Sequence, residues 1–260
     1  MTDRTTDTGV LTGRTALVTG GSRGIGLMIA EGLLAAGATV VISSRKAAAC
    51  EEAVAALGRI GECISVPANL ADDADRAHLV EDLQRRFDSL DILVNNAGAV
   101  WGAPLDEYPT EAFDKVLGLN VKAVFAMTQS LMPMLRAAAS PDSPARVVNI
   151  GSVDGLVVPP TENFAYTASK AGVHMLTRHL AKWMAADHIT VNAIAPGPFS
   201  TKMMAYIFED PGRLEEMTSH VPLGRAGEPR DIAALTNFLV GPGATYITGA
   251  VIPLDGGVSL

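Results

Sequence analysis

The sequence predicts one α/β domain: a doubly wound parallel sheet of about seven strands with helices on both faces. Three observations favour this fold class. Short β-rich runs alternate with longer helical patterns along almost the whole chain. The runs are nearly continuous in apolar and β-branched residues, which is typical of parallel strands covered by helices on both sides. A glycine-rich segment directly follows the first run, where α/β sheets commonly bind phosphate groups.

The individual elements follow from this alternation. Strands are predicted at 16–18, 39–42, 63–66, 92–94, 146–150, 189–194 and 250–254. Helical stretches cover about 25–36, 46–57, 71–87, 110–137, 163–186 and 228–240. Pro253 cannot donate a backbone hydrogen bond, so we expect it near an edge of the sheet or near the end of its strand. Residues 198–227 fit the alternation worst, which indicates a substrate lid or an insertion.

Length, charge and composition exclude several classes of protein. The 260 residues suit a single dinucleotide-binding catalytic domain, expected over residues 13–260 after a disordered tail of residues 1–12. A net charge of −8 without a Lys/Arg-rich run argues against a nucleic-acid partner. No apolar stretch is long enough for a membrane span, no secretion signal is recognisable, and two cysteines make no disulfide framework. We therefore expect a cytoplasmic protein without a membrane partner.

The glycine-rich segment Thr19–Gly26 lies between the first predicted strand and the first predicted helix. Glycines allow the backbone to approach a pyrophosphate, and a helix N-terminus attracts its negative charge. A simple tight turn is the alternative, but the position in the first βα unit favours phosphate binding. The predicted cofactor-binding residues in this loop are Gly20, Ser22, Arg23, Gly24, Ile25 and Gly26.

The end of the second predicted strand indicates which dinucleotide binds. An NAD site places a carboxylate there to accept a hydrogen bond from the ribose, whereas this chain has Ser44 and Arg45. One hydroxyl and two guanidinium groups, with Arg23 as the second, suit the 2′-phosphate of NADP(H). Two solvated surface arginines are the alternative interpretation.

Tyr166 and Lys170 stand four residues apart and therefore lie on one helical face. Because a nearby ammonium favours the phenolate, we expect Lys170 to lower the pKa of Tyr166 toward neutrality and make it a general acid–base. Ser152 follows the fifth predicted strand and could bind the same oxygen. Asn120 falls in the core-facing stripe of its helix. A buried amide needs hydrogen-bond partners, so it binds either backbone groups that lack a partner or a water.

Taken in order, these motifs resemble the short-chain dehydrogenase/reductase family over about residues 12–260, which implies a Rossmann-type fold. The matching segments are Thr19–Gly26, Asn95–Gly98, Asn120, Ser152, Tyr166-x-x-x-Lys170, Pro196-Gly197 and Leu254–Gly257. The resemblance implies four catalytic residues. Tyr166 would protonate the carbonyl oxygen, Ser152 would donate a hydrogen bond to it, Lys170 would bind the nicotinamide ribose, and Asn120 would hold a water in a proton relay.

The same resemblance implies further cofactor contacts. They come from Asn69, Leu70, Asn96, Ala97, Gly98, Pro196, Gly197, Phe199 and Thr201, beside Tyr166 and Lys170. Asn69 departs from the pattern, since the family often has Asp there, but its amide oxygen can still accept from an adenine amino group. The resemblance also implies a homotetramer or a dimer. A metal site is not expected, because the histidines are not at ligand spacing.

The predicted function is NADPH-dependent transfer of hydride to a ketone. Within the family, the chain is similar to β-ketoacyl reductases, in particular the rhamnolipid-associated type, which implies a 3-oxoacyl thioester or a related apolar ketone. Candidate apolar pocket residues are Trp101, Leu105, Val157, Val158, Pro159, Pro160, Met203, Met204, Tyr206, Ile207 and Phe208, although lid packing or a subunit contact explains them equally well. Alternatives are a broad-specificity NADP-dependent secondary alcohol dehydrogenase and a non-catalytic NADPH-binding sensor.

Overall fold

The computed structural model describes residues 9–201 and 210–260. Within these ranges the strands form one seven-stranded sheet in the order β3-β2-β1-β4-β5-β6-β7, with every pair parallel. The strands are β1 (Thr15–Thr19), β2 (Thr39–Ser43), β3 (Cys63–Ser65), β4 (Ile92–Asn95), β5 (Ala145–Ile150), β6 (Ile189–Pro196) and β7 (Val251–Leu254). The predicted fold class is confirmed. Pro253 lies in the edge strand β7, as its missing donor requires.

The helices cover both faces of this sheet. They are α1 (Gly24–Ala35), α2 (Ala47–Leu57), α3 (Asp73–Arg86), α4 (Thr110–Leu117), α5 (Ala123–Ala138), α6 (Phe164–Met184), α7 (Pro211–Ser219) and α8 (Pro229–Val240). One buried cluster joins the sheet to α1, α2 and α8, for example through Leu33 and Leu239. A second cluster joins the opposite face to α3, α5 and α6, for example through Leu83 and Leu131. No helix in the described ranges is long and apolar enough to cross a bilayer.

The helix predicted at 110–137 is interrupted. The five residues Gly118–Lys122 form a π-helical turn between α4 and α5. A single-turn π-bulge keeps the chain direction and the apolar stripe almost unchanged, so the 3.6-residue period does not reveal it. This turn carries Asn120, and π-bulges are frequent at functional sites.

The folded domain begins earlier than predicted. Leu11 is buried in the first cluster, and its backbone N–H donates to the Ala36 carbonyl oxygen at 2.9 Å. Residues 9–12 therefore belong to the domain, and the expectation of a disordered tail over 1–12 is wrong for them. Residues 1–8 lie outside the described part of the chain.

The predicted lid at 198–227 is described only in part, because residues 202–209 lie outside the described ranges. At its start, Phe199 pairs with Gly227 in an isolated parallel bridge and is 2% exposed. Near its end, Val221 is buried. Both ends of the segment are thus packed on the domain, and a lid role for the remainder stays a prediction.

Candidate active site

A cavity of about 420 Å³ opens at the carboxyl ends of the strands. The strand order reverses between β1 and β4, and ligands of open α/β sheets bind outside the strand ends at such a point. The cavity is lined by Gly20, Arg23, Gly24, Ile25, Ser43, Ser44, Arg45, Ala68, Leu70, Asn96, Ala97, Gly98, Ala99, Leu119, Ile150, Gly151, Ser152, Tyr166, Lys170, Pro196, Gly197, Phe199 and Thr201. Sequence-predicted residues from six strand ends and two helices, α1 and α6, therefore meet around one space.

The glycine loop is shaped by close backbone contacts. Gly20 has a φ of +66°, a conformation that side-chain-bearing residues rarely adopt. A Cβ atom at Gly26 would lie 2.4 Å from the Gly20 carbonyl oxygen. Helix α1 starts without a side-chain cap at Arg23, so its first-turn N–H groups are free of a side-chain acceptor and suit an anionic ligand.

The Asn96 side chain holds this loop in place by hydrogen bonds to its backbone. Its Nδ2 donates to the carbonyl oxygens of Thr19 and Gly20, at 2.9 and 3.2 Å. The Thr19 hydroxyl in turn accepts from the backbone N–H groups of Asn96 and Ala97. The turn after β4 therefore fixes the position of the turn after β1.

Three polar side chains line the part of the cavity where the adenosine of a dinucleotide is expected to bind. Arg23 and Arg45 are exposed, and Ser44 lies beside Arg45. Neither guanidinium forms an ion pair with a carboxylate in the described ranges. Two unpaired cations at the end of β2 and in the glycine loop fit a 2′-phosphate better than a ribose hydroxyl.

A buried chain of amides and hydroxyls connects the two central strand ends. Asn95 Nδ2 donates to Asn149 Oδ1 at 2.9 Å and to Thr128 Oγ1 at 3.2 Å. Asn149 Nδ2 donates to Thr177 Oγ1 at 2.9 Å. These bonds tie β4 and β5 to α5 and α6, and they fix the helix that carries Tyr166. Sequence reasoning did not find this network, because its members are far apart in the chain.

Tyr166 and Lys170 lie on one face of α6 as predicted, with Lys170 Nζ 5.4 Å from the centre of the Tyr166 ring. Lys170 is buried, and its Nζ donates to the Ile150 carbonyl oxygen at 2.8 Å. Burial lowers the pKa of Lys170 to about 8, and the Asp154 carboxylate acts against this change. The carboxyl end of β5 therefore holds the ammonium in place.

The expected acidity of Tyr166 is wrong for this arrangement. Burial raises the pKa of Tyr166 to about 12; the Ser152 hydroxyl lowers it by hydrogen bonding and the Asp154 carboxylate raises it further. The helical spacing correctly brought Lys170 near the ring, but desolvation of the phenolate outweighs the hydrogen bond from Ser152, which is the effect that lowers the pKa. Tyr166 is thus protonated at neutral pH.

Asn120 uses its side chain to bind protein groups. Its Oδ1 accepts from the Ala99 N–H at 2.8 Å, and its Nδ2 donates to the Ala99 carbonyl oxygen at 2.9 Å and to Ser169 Oγ at 2.9 Å. The sequence left two roles open for this amide: binding backbone groups or holding a water. The structure therefore supports the first, hydrogen bonding to backbone groups. A place for Asn120 in a proton relay stays a prediction.

Some predicted site residues do not line the cavity. They are the predicted cofactor contacts Ser22, Gly26 and Asn69 and the predicted catalytic residue Asn120. Asn69 turns its Oδ1 toward the Ala71 N–H at 3.4 Å, as expected for a residue in a turn before α3. The residues that sequence reasoning missed are Ser43, Ala68, Ala99, Leu119, Ile150 and Gly151. Five of them directly adjoin a predicted residue and Ile150 lies two residues before Ser152, so the signal was the nearby motif.

The candidate substrate residues fall outside this cavity. Trp101, Leu105 and residues 157–160 do not line it, and the Leu105 and Val158 side chains are 71% and 92% exposed. Met203, Met204, Tyr206, Ile207 and Phe208 lie outside the described residues. The cavity is thus lined by predicted cofactor-binding and catalytic residues. The residues that would bind the rest of the substrate stay a prediction.

The fold and the site together define an oxidoreductase of the dinucleotide-binding α/β class. Residues 20–259 match the family model described as "Enoyl-(Acyl carrier protein) reductase". The chain belongs to the short-chain dehydrogenase/reductase family, as its motifs predicted.

Three comparisons show how similar its relatives are. The rhamnolipids biosynthesis 3-oxoacyl-[acyl-carrier-protein] reductase of Pseudomonas aeruginosa is 49% identical, with 96% of this chain and 98% of the relative covered. The 3-oxoacyl-[acyl-carrier-protein] reductase of Synechocystis sp. is 36% identical, with 95% and 98% covered. The solved structure of the Pseudomonas aeruginosa RhlG/NADP active-site complex superposes with a TM-score of 0.94 at 49% identity, covering 96% of this chain and 98% of that one.

Proposed function

We propose that this chain is an NADPH-dependent reductase that converts the ketone of a 3-oxoacyl thioester, or of a related apolar compound, to an alcohol. One observation carries the proposal. Tyr166, Lys170 and Ser152 line the same cavity as Arg23 and Arg45, so a proton donor and a phosphate-binding end share one space. Relatives that act on 3-oxoacyl groups and a relative solved with NADP support the substrate and the cofactor.

The residues of the cavity fit the cofactor at both of its ends. The start of α1 suits the pyrophosphate, and Arg23, Ser44 and Arg45 suit a 2′-phosphate. Pro196, Gly197, Phe199 and Thr201 line the same cavity as Lys170, and the nicotinamide and its ribose would lie against them. When bound there, NADPH supplies the hydride for the carbonyl carbon.

The chain itself supplies the proton. The Tyr166 O–H donates to the carbonyl oxygen as negative charge develops on it, and the Ser152 hydroxyl donates a second hydrogen bond to that oxygen. With a pKa of about 12, Tyr166 is in the protonated form that reduction needs. Lys170, with a pKa of about 8, is the stronger acid of the two and can return a proton to the phenolate. Lys170 is buried, whereas Tyr166 is partly exposed where it lines the cavity, as a group that must reach the substrate requires.

A substrate panel tests this function. We expect NADPH consumption with acetoacetyl and longer 3-oxoacyl thioesters, and a much smaller rate with NADH. Cyclic and aryl ketones test the broader alcohol dehydrogenase, and an unsaturated acyl thioester tests reduction of a carbon–carbon double bond. Tyr166→Phe is the control for background oxidation. Tight NADPH binding without turnover of any carbonyl would contradict the proposal and favour the sensor.

We further propose that the chain works as a cytoplasmic homotetramer or dimer. Exposed apolar side chains on α5, α6 and near the C-terminus support a contact between copies: Phe125, Met175, Trp183, Tyr246 and Leu260. Two free cysteines, Cys50 and Cys63, are compatible with a reducing compartment. Light scattering on the purified chain tests the assembly, and a monomer at micromolar concentration would contradict it.

A further inference from the structure

Asp154 stands beside the proposed catalytic residues but was not among those predicted from sequence. It lies in the short 3₁₀ turn Val153–Gly155 that directly follows Ser152. Its backbone N–H donates to Ser152 Oγ at 3.2 Å. Its carboxylate Oδ2 accepts from Asn163 Nδ2 at 2.9 Å. A hydrogen bond between two side chains therefore connects the turn after β5 to the residue that precedes α6.

Asn163 holds the carboxylate in a defined place. It is buried at 8% exposure, directly precedes α6, and its Oδ1 accepts from Thr167 Oγ1 at 2.9 Å. An amide bound at both ends cannot rotate without losing a hydrogen bond. Asp154 is thus fixed near the first turns of α6, where Tyr166 and Lys170 lie.

The negative charge of Asp154 acts on both proposed catalytic groups. It raises the pKa of Tyr166 in the same direction as burial, and it raises the pKa of Lys170 against the larger effect of burial. On the same helix, burial lowers the pKa of the nearby His174, and Lys170 and Arg178 lower it further. Glu162, at the end of the same loop, accepts instead from the Leu105 N–H. Within the described ranges, Asp154 is the charged group that acts on Tyr166 and Lys170 together.

We propose that Asp154 is a positioning residue that sets the pH range of catalysis, because its carboxylate stabilises the protonated forms of Tyr166 and Lys170. This inference rests on the proposed carbonyl reduction. In that reaction the Tyr166 O–H bond breaks, the proton goes to the carbonyl oxygen, hydride from NADPH forms the new C–H bond, and Lys170 returns a proton to the phenolate. Alcohol oxidation needs the phenolate instead, so one ionisation governs the pH limits of both directions.

Asp154→Asn tests the charge with almost unchanged shape, since its Oδ1 can still accept from Asn163. We expect the limits of the pH profiles for reduction and for oxidation to move together to lower pH, by roughly half to one pH unit, at the lower end of what one neighbouring charge produces. Glu162→Gln removes one negative charge from the same loop and should leave both limits in place. Asp154→Ser, which also removes the charge, should reproduce the displacement.

A second measurement does not depend on turnover. In protein labelled with ¹³C-lysine, the Lys170 side-chain signal, assigned by its loss in Lys170→Arg, should titrate near pH 8 in the parent chain and at lower pH in Asp154→Asn. Unmoved pH limits and an unmoved Lys170 midpoint would overturn the inference, as would equal effects of Glu162→Gln. If the parent chain reduces no carbonyl, the proposed function fails, yet the Lys170 titration still decides the role of Asp154.

Discussion

Replacing Lys170 by methionine should stabilise the protein while abolishing catalysis. Lys170 is buried, and its pKa falls from the usual 10.5 to about 8. At neutral pH the buried ammonium therefore costs about 3 kcal/mol relative to a charge in water, at about 1.4 kcal/mol per pH unit. Methionine fills a similar volume but loses the hydrogen bond to Ile150, worth about 1 kcal/mol. The net gain in the free energy of unfolding is about 2 kcal/mol.

The pH dependence of this gain has a definite sign. Between pH 8 and 10.5 the unfolded chain holds a proton on Lys170 that the folded chain has lost, so the parent protein gains stability as pH rises. The penalty is complete below pH 8 and is removed as pH approaches 10.5. Lys170→Met has no such titration. The difference in stability between the two proteins should therefore be largest near neutrality and should close toward alkaline pH.

Thermal and urea unfolding without added cofactor measure this difference. We expect the melting temperature of Lys170→Met to rise by about 4–8 °C near neutrality, from the usual relation for domains of this size. Lys182→Met makes the same change at an exposed position of α6 and serves as the matched control. A destabilised Lys170→Met, or a gain that does not depend on pH, would refute the electrostatic account of this burial.

Two further predictions concern the cofactor and the proton donor. Tyr166→Phe should lower turnover by several orders of magnitude and leave the NADPH affinity, measured by fluorescence titration, nearly unchanged. Near-native turnover of this variant would contradict the role of Tyr166 as proton donor. Arg45→Ala should raise the KM for NADPH about 10- to 100-fold, as expected from losing a charge-assisted hydrogen bond, with a much smaller change for NADH. Equal effects on the two cofactors in steady-state assays would contradict a 2′-phosphate site at Arg45.

Local patterns were enough to predict the architecture and most of the site. The strand runs and the helical periods came from side-chain burial, which repeats along the chain and can be read without knowing what covers each face. The order of the motifs predicted the family, and the comparisons confirmed it. Residues such as Gly20 and Tyr166 could be placed in the cavity, because each directly follows a predicted strand or lies on a predicted helix face.

Quantities that depend on distant segments were not predictable in the same way. The π-helical turn at Gly118–Lys122 leaves the period almost intact, and the two hydrogen-bond partners of the Asn120 amide are 21 and 49 residues away. The start of the domain was misplaced, because the burial of Leu11 depends on helix α1 and the sheet behind it. In each case the missing information was a contact between segments remote in sequence.

The sequence by itself determined which chemical groups are available and in what order they occur along strands, turns and helices. Only the tertiary structure decided their chemical state. Spacing placed Lys170 beside Tyr166, but burial reversed the expected direction of the Tyr166 pKa, and the fold brought Asp154 to the same helix through Asn163. The physical reason is that proximity along a helix is a local property, whereas desolvation and electrostatic fields are sums over everything that packs around a group.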